Sequence, residues 1–176
     1  RARAARQADL DSLFVGDHHV TPFPYFQNSV ILARMLHEWG EKPFGALYLL
    51  PLWHPVILAE QIATLASLSR APFILQCGLG DERQGKAMGI DMKHKVGRFI
   101  SCLEVMRALW QGRSVEENRF WNIKAAQISP LPSHEIEVWI GSVVEKAIKR
   151  TAKLGDGWLA SPGLTPDQAN QAIKEY

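Results

Sequence analysis

Residues 44 to 80 read FGALYLLPLWHPVILAEQIATLASLSRAPFILQCGLG: an apolar run, an amphipathic stretch of helix length, and a second apolar run ending in glycines. Both runs are nearly continuous in apolar residues rather than alternating. That is the pattern of strands covered on both faces, which belong mostly to parallel sheets flanked by helices. Between them, Pro55 suits the first turn of a helix, where its missing N–H costs nothing. Leu58, Ile62 and Leu65 then recur at helical spacing, with Glu60, Gln61, Thr64 and Ser67 largely between them. A crossover of this length returns the chain parallel to its start, with right-handed geometry. The carboxyl ends of the two strands, Leu50-Pro51 and Cys77 to Gly80, are therefore expected on the same side of the sheet, where parallel α/β folds bind ligands.

The remaining chain repeats this unit. Arg1 to Ala8 reads as the tail of a helix and Leu10 to Val15 as a short strand ending in Gly16-Asp17-His18-His19. Val20 to Gln27, with Pro22 and Pro24 among aromatics, is a loop. Asn28 is expected to cap a helix reaching Trp39, and Asp81 to Asp91 reads as a loop. In His94 to Gln111 the residues Val96, Phe99, Leu103, Met106 and Trp110 form one apolar stripe, with Lys95, Arg98, Ser101 and Glu104 off it, and Gly112 stops the helix. Arg113 to Glu135 is expected to hold a hairpin-like excursion. Ile136 to Ile140 follows as a strand, Val143 to Leu154 as a helix and Trp158 to Ala160 as a strand. A last helix is opened by the capping box Thr165-Pro166-Asp167-Gln168. Five strand-helix alternations mean either an open doubly wound sheet or part of a (β/α) barrel. A closed barrel needs eight units and typically about 250 residues, so 176 residues are too few to close one.

Composition narrows the function classes. A hydrophobic fraction of 47% with 22% charged residues is ordinary for one globular domain over residues 1–176. A net charge of +2 with scattered Lys and Arg argues against nucleic acid. Cys77 and Cys102 lie in different predicted elements without metal-type spacing, so reduced thiols and a cytoplasmic setting are expected. No apolar run is long enough for a membrane span and no leader is visible, while the non-Met start in mid-helix leads us to expect more chain upstream.

The loops after the five strands are where chemistry is expected. Asp17-His18-His19 places an acid and two imidazoles at a strand end, either as proton-handling groups or as polar residues leaving for solvent. Neighbouring strand residues point opposite ways, so the two histidines are not expected to share a metal. Cys77 is a thiol facing a ligand or a small buried hydrophobe. Gly141-Ser142 before a helix offers free N–H groups and a hydroxyl, as a phosphate site or as a plain cap. Gly78-Leu79-Gly80 does not make a dinucleotide fingerprint, since Arg83 stands where the third glycine is required. GDERQGKA, residues 80 to 87, matches a phosphate-binding loop but ends in Ala87 where a magnesium-holding hydroxyl is needed.

Taken together, FVGDHH, the GALYLLPLWHPVILAEQIATLASLS block, FILQCGLG followed by AMGIDM, the Arg98 to Trp110 helix, and the late pair WIGS and GDGWLA resemble the bacterial-luciferase-like family of flavin-dependent monooxygenases. The resemblance spans nearly the whole chain and implies a (β/α)8 TIM-barrel fold, of which about five of the eight units are present. It also implies FMN, or in one branch the deazaflavin F420, at the strand carboxyl ends. On this resemblance His18 is the active-site histidine, and Leu47, Tyr48 and Leu49 lie near a flavin-contacting bulge. Cys77 sits beside the ring, Gly78 and Gly80 belong to the turn under it, and Gly141 and Ser142 begin the phosphate-binding helix. His18, Cys77 and Ser142 are thereby expected on one rim. The implied reaction uses reduced FMN and O2 to oxygenate a small organic substrate. A separate flavin reductase supplies the cofactor, since no nicotinamide site is visible. The alternatives are F420-dependent hydride transfer on the same scaffold, or a non-catalytic fragment whose two unpaired sheet edges call for another chain, a second copy of itself included. Gly78 stands where the luciferase branch has an arginine, Ala46 where many members have a threonine, and the first strand and last two barrel units have no counterpart.

Overall fold

The computed structural model describes residues 1–176. In chain order its elements are α1 (Ala2–Gln7), β1 (Leu13–Val15), α2 (Asn28–Trp39), β2 (Phe44–Leu49), a 3-10 turn (Leu50–Leu52), α3 (Pro55–Ser67), β3 (Phe73–Gly78), α4 (Glu82–Ala87) and α5 (Lys95–Trp110). Then come β4 (Val115–Glu117), β5 (Ile123–Ala126), β6 (Glu137–Gly141), α6 (Glu145–Leu154), β7 (Gly157–Leu159) and α7 (Pro166–Glu175). The main sheet runs β1-β2-β3-β6-β7 and every pairing in it is parallel. Because strand order follows chain order without reversal, there is no switch point of the doubly wound kind. The sheet is an arc of a (β/α) barrel. β4 and β5 form a separate antiparallel pair inserted between α5 and β6, the expected excursion.

Strand alternation divides the sheet into two faces. Phe44, Ala46 and Tyr48 of β2 pair with Phe73, Leu75 and Cys77 of β3, and Val138 and Ile140 of β6 continue the row. These residues share one core with Leu32, Leu36 and Trp39 of α2, Leu58, Ile62 and Leu65 of α3, and Phe99, Leu103 and Met106 of α5. Burying such a set at about 25 cal/mol per Å² of apolar area is the main force holding helices to sheet. The opposite face carries Gly45, Leu47, Leu49, Ile74, Gln76, Gly78 and Trp139. On it the rings of Phe14 and Trp139 meet with centroids 5.8 Å apart. Gly45, between β1 and β3, leaves no room for a Cβ, which would overlap the carbonyl of Ile74 and reach Phe14 Cε1 at 3.0 Å.

Several local expectations change. Asn28 is not the cap: Gln27 precedes the helix, and the buried Asn28 side chain instead donates to the Leu47 carbonyl at 2.7 Å. The Asp81–Asp91 loop contains α4, capped by Asp81, whose side chain accepts from the Gln84 backbone at 2.7 Å. Within α4, Gly85 makes room for Met92, whose Cγ would collide with a Cβ there. The glycine of the GDERQGKA match thus serves packing rather than a phosphate loop. No bulge interrupts β2, whose register with β3 is continuous from Phe44 to Leu49 before the chain turns into the 3-10 segment.

Ser101, placed off the apolar stripe, is buried because the β4–β5 pair folds over it. Its hydroxyl donates to Glu117 Oε1 at 3.1 Å. Glu117 organises the turn of that hairpin by accepting from the backbone N–H groups of Arg119, Phe120 and Trp121. Burial pushes the Glu117 carboxyl upward, but the bonds from Phe120, Trp121, Ser101 and Arg119 outweigh it and leave the group below the usual range. A folded-state value depressed in this way gives stability that is present above the unfolded carboxylate range and lost as pH falls through the folded value. Glu117→Ala is expected to cost about 1 to 2 kcal/mol at neutral pH. The protection factors of the Phe120 and Trp121 amides, taken against the intrinsic exchange rate at the same pH, are expected to fall both in that variant and in the wild type as the pH is lowered.

Candidate active site

At the carboxyl ends of β2, β3, β6 and β7 lies a cleft of about 420 Å³. Its apolar part is built from Leu47, Gly78, Leu79, Ile140 and Gly141, and its polar end from Ser142, Arg150, Thr151 and Ser161. The two strand-ending glycines keep the floor open. A Cβ on Gly78 would sit 3.0 Å from Leu49 Cδ2, while one on Gly141 would meet nothing closer than the Cys77 carbonyl at 3.4 Å. Leu47 is held in place by Asn28, which fixes its carbonyl.

The polar end is braced from two sides. Thr151, on α6 and 1% exposed, donates its hydroxyl to Ser142 Oγ at 3.0 Å, and the Trp158 indole of β7 donates to the Ser142 carbonyl at 2.9 Å. Arg150 lines the same cleft and takes part in none of the ion pairs of the chain.

A second polar assembly stands beyond β1. The buried Asp17 carboxylate accepts through Oδ2 from the Leu49 backbone at 2.9 Å and from the Trp53 indole at 2.8 Å, clamping the end of β2 to the turn that follows it. Its Oδ1 lies 3.1 Å from His19 Nε2 but too poorly aligned for a hydrogen bond, so that contact is one of proximity only. The His19 backbone N–H donates to the buried Gln84 side chain at 2.7 Å, and Gln84 in turn donates to Asp81 at 2.8 Å. Val20 adopts φ 49°, a region branched side chains rarely visit, and its carbonyl accepts from Arg83 at 2.7 Å. His18 is half-buried, with its ring centroid 5.6 Å from that of Tyr25 and its Nε2 3.4 Å from the Arg83 guanidinium. A guanidinium only donates, so this contact has His18 Nε2 as acceptor and the ring proton on Nδ1.

The structure gathers Leu47, Gly78, Gly141 and Ser142 around one cleft. His18 stands on the same carboxyl-end side, after β1, outside that lining. Gly80, with φ 69°, packs against Leu49 and Leu52, and Leu49 itself closes a small cluster with Leu52 and Met92. Tyr48 is a correction, while Cys77 is among the residues that line the cleft. Both are fully buried on the helix-covered face, paired with each other across β2 and β3. The Tyr48 hydroxyl bonds Ser29 Oγ at 2.8 Å and, since Ser29 gives its own proton to Gln61, Tyr48 is the donor. Burial pushes the Cys77 thiol well up, with Cys102 adding to the effect, so it stays protonated. Only its neighbour Gly78 has the parity to face the barrel interior. Asp17 and Gln84 were not singled out individually from the sequence; the signal for Asp17 was its place between a strand end and two histidines. No three His, Cys, Asp or Glu residues are grouped to hold a metal.

A profile of the luciferase-like monooxygenase family matches residues 1–176. The chain belongs to this family. Among curated members, the F420-dependent glucose-6-phosphate dehydrogenase of Mycobacterium avium (strain 104) is 26% identical over 203 residues, covering 99% of this chain and 56% of its own length. Of solved structures, the monooxygenase RslO1 from Streptomyces bottropensis superposes with a TM-score of 0.84 at 19% identity, over 99% of this chain and 56% of the other. The oxygenating constituent of 3,6-diketocamphane monooxygenase from Pseudomonas putida, in complex with FMN, does so with a TM-score of 0.70 at 20% identity, over 85% and 48%. These likenesses establish the partial luciferase-like barrel, in a family that includes F420-dependent dehydrogenases and FMN monooxygenases. The chain spans about half the length of the F420-dependent glucose-6-phosphate dehydrogenases that it matches. No helix is long and apolar enough to cross a membrane.

Proposed function

We propose that this luciferase-like chain supplies the cofactor-holding part of an oxidoreductase that works with a phosphorylated flavin or deazaflavin. One observation carries the reading: the cleft joins an apolar, glycine-opened floor to a polar end bearing hydroxyls and an unpaired guanidinium. A flat ring with a phosphorylated tail needs those two surfaces side by side. Leu47, Gly78 and Gly141 take the ring, and Ser142, Ser161 and Arg150 take the phosphate. When bound, the cofactor supplies the hydride or electron-transfer chemistry. His18 offers its Nδ1 proton on the same side of the sheet, its Nε2 being engaged by Arg83 and its ring packed beside Tyr25. Asp17 keeps the β2 end where the ring lies, and the aliphatic floor excludes water from it.

Of the two cofactors we place F420 first, although the resemblance by itself put FMN first. Similarity over 99% of the chain to an F420-dependent dehydrogenase supports hydride transfer to or from an alcohol-type substrate. The second reading, oxygenation of a small organic molecule with O2 and FMN reduced by a separate reductase, is supported by the likeness to the FMN-bound and RslO1 monooxygenase structures. Titration of the protein with F420 and with FMN, followed by cofactor fluorescence, tests both. Saturable binding of F420, with reduction by an alcohol or phosphorylated sugar and no O2 uptake, is the expected result. O2 uptake with reduced FMN selects the second reading, and binding of neither rejects both. Gly141→Val is expected to weaken cofactor binding at least about tenfold, because its side chain enters the cleft. Its melting temperature is expected to stay near wild type, the nearest atom to a Cβ there being 3.4 Å away.

A further inference from the structure

We propose that Thr151 is a positioning residue that presets Ser142 as a one-way hydrogen-bond donor to the cofactor's phosphate, with Arg150 as the facing charge. The inference rests on the cofactor reading above and adds to it two residues of α6. The geometry of Ser142 carries it. A serine hydroxyl has one proton to give and two lone pairs to receive with. Thr151 donates to Ser142 Oγ at 3.0 Å, which fills one lone pair and leaves the serine proton unused by the protein. Trp158 fixes the Ser142 carbonyl at 2.9 Å, so the residue is held at both its backbone and its side chain. A hydroxyl placed in this way at a cleft is matched to a ligand that only accepts, and a phosphate oxygen is such a ligand.

Thr151 itself is a hydroxyl in mid-helix at 1% exposure, a position where valine has the same shape without the bond. Arg150, its neighbour, lines the cleft without a carboxylate, whereas nearby Lys149 is occupied by Glu145 and Glu175. Gly78, on the strand opposite, has no side chain to contribute a cation, so on this chain Arg150 is the guanidinium that lines the cleft.

The test compares ligands that differ only in the phosphate: FMN against riboflavin, and F420 against its chromophore without the phosphate. Wild type is expected to bind the phosphorylated member of a pair more tightly. Thr151→Val is expected to weaken the phosphorylated member about tenfold and leave the other within about twofold. Thr151→Ser restores the preference, and Arg150→Gln, at a half-buried position, reduces it by itself. Equal losses for both members of a pair, or no change in either, overturn the role of Thr151 while leaving the cofactor reading intact. If wild type binds no member of either pair, the cofactor reading fails and takes this inference with it. Should Thr151→Val not fold, an unchanged phosphate preference in Arg150→Gln overturns the proposal, and a lost one supports it.

Discussion

Gly45→Ala is expected to cost about 3 kcal/mol or more of folding stability, at the upper end of what overpacking a core does. At most buried positions an added methyl displaces a side chain, which rotates or shifts. At Gly45 the obstacle is the Ile74 carbonyl of the adjacent strand, and the next nearest atoms are the Ile74 carbonyl carbon at 2.9 Å and Phe14 Cε1 at 3.0 Å. Relief therefore requires separating β2 from β3, whose pairing runs unbroken from Phe44↔Phe73 to Leu49↔Gly78. In urea the midpoint should fall by roughly 1.5 M for a chain of this size. Gly163→Ala, where a Cβ meets nothing nearer than Ser161 Oγ at 4.0 Å, serves as the control and should stay within about 0.5 kcal/mol. A wild-type midpoint for Gly45→Ala would show that the two strands are not paired in this register.

The second large effect is expected at Asp17. Asp17→Ala removes the acceptor for the buried Leu49 amide and the partly buried Trp53 indole together. The combined cost is about 2 to 5 kcal/mol, and the Leu49 amide should lose its protection against hydrogen exchange. Asp17→Asn keeps an oxygen able to accept both bonds and loses only the contribution of charge, so it should cost about 1 kcal/mol. If Asn and Ala behave alike, the carboxylate is not the clamp described here. Because the clamped segment adjoins Leu47 and Gly78, the alanine variant should also bind the cofactor more weakly.

The sequence made the scaffold readable where long periodic segments spoke for themselves. The strand-helix-strand of residues 44 to 80, the helix of Lys95 to Trp110 and the capping box at Thr165 all stand where expected, the last with both of its reciprocal bonds formed. What could not be read depends on which chain segment lies next to which. α4 is six residues long with a glycine inside, too short for a period to register, and Gln84 is buried only because the His19 backbone comes to it from 65 positions away. Strand order, which decides between barrel and doubly wound sheet, is likewise a property of pairing and not of pattern. The misplacement of Tyr48, and the expectation that the Cys77 side chain faces the ring, have a different origin. In runs apolar on both faces the alternation of side chains is hidden, yet parity was available: Cys77 adjoins Gly78, and Tyr48 lies between Leu47 and Leu49, so neighbours cannot share a face.

Each later strand of the main sheet finds its partner already made upstream: β2 joins β1, β3 joins β2, β6 joins β3 and β7 joins β6. From β1 to β7, growth of the sheet is thus possible at one edge in step with synthesis on the ribosome. Joining β1, β2 and β3 closes loops of about thirty residues each, whereas β6 reaches β3 across α4, α5 and the hairpin, so that step carries the largest loop-closure cost.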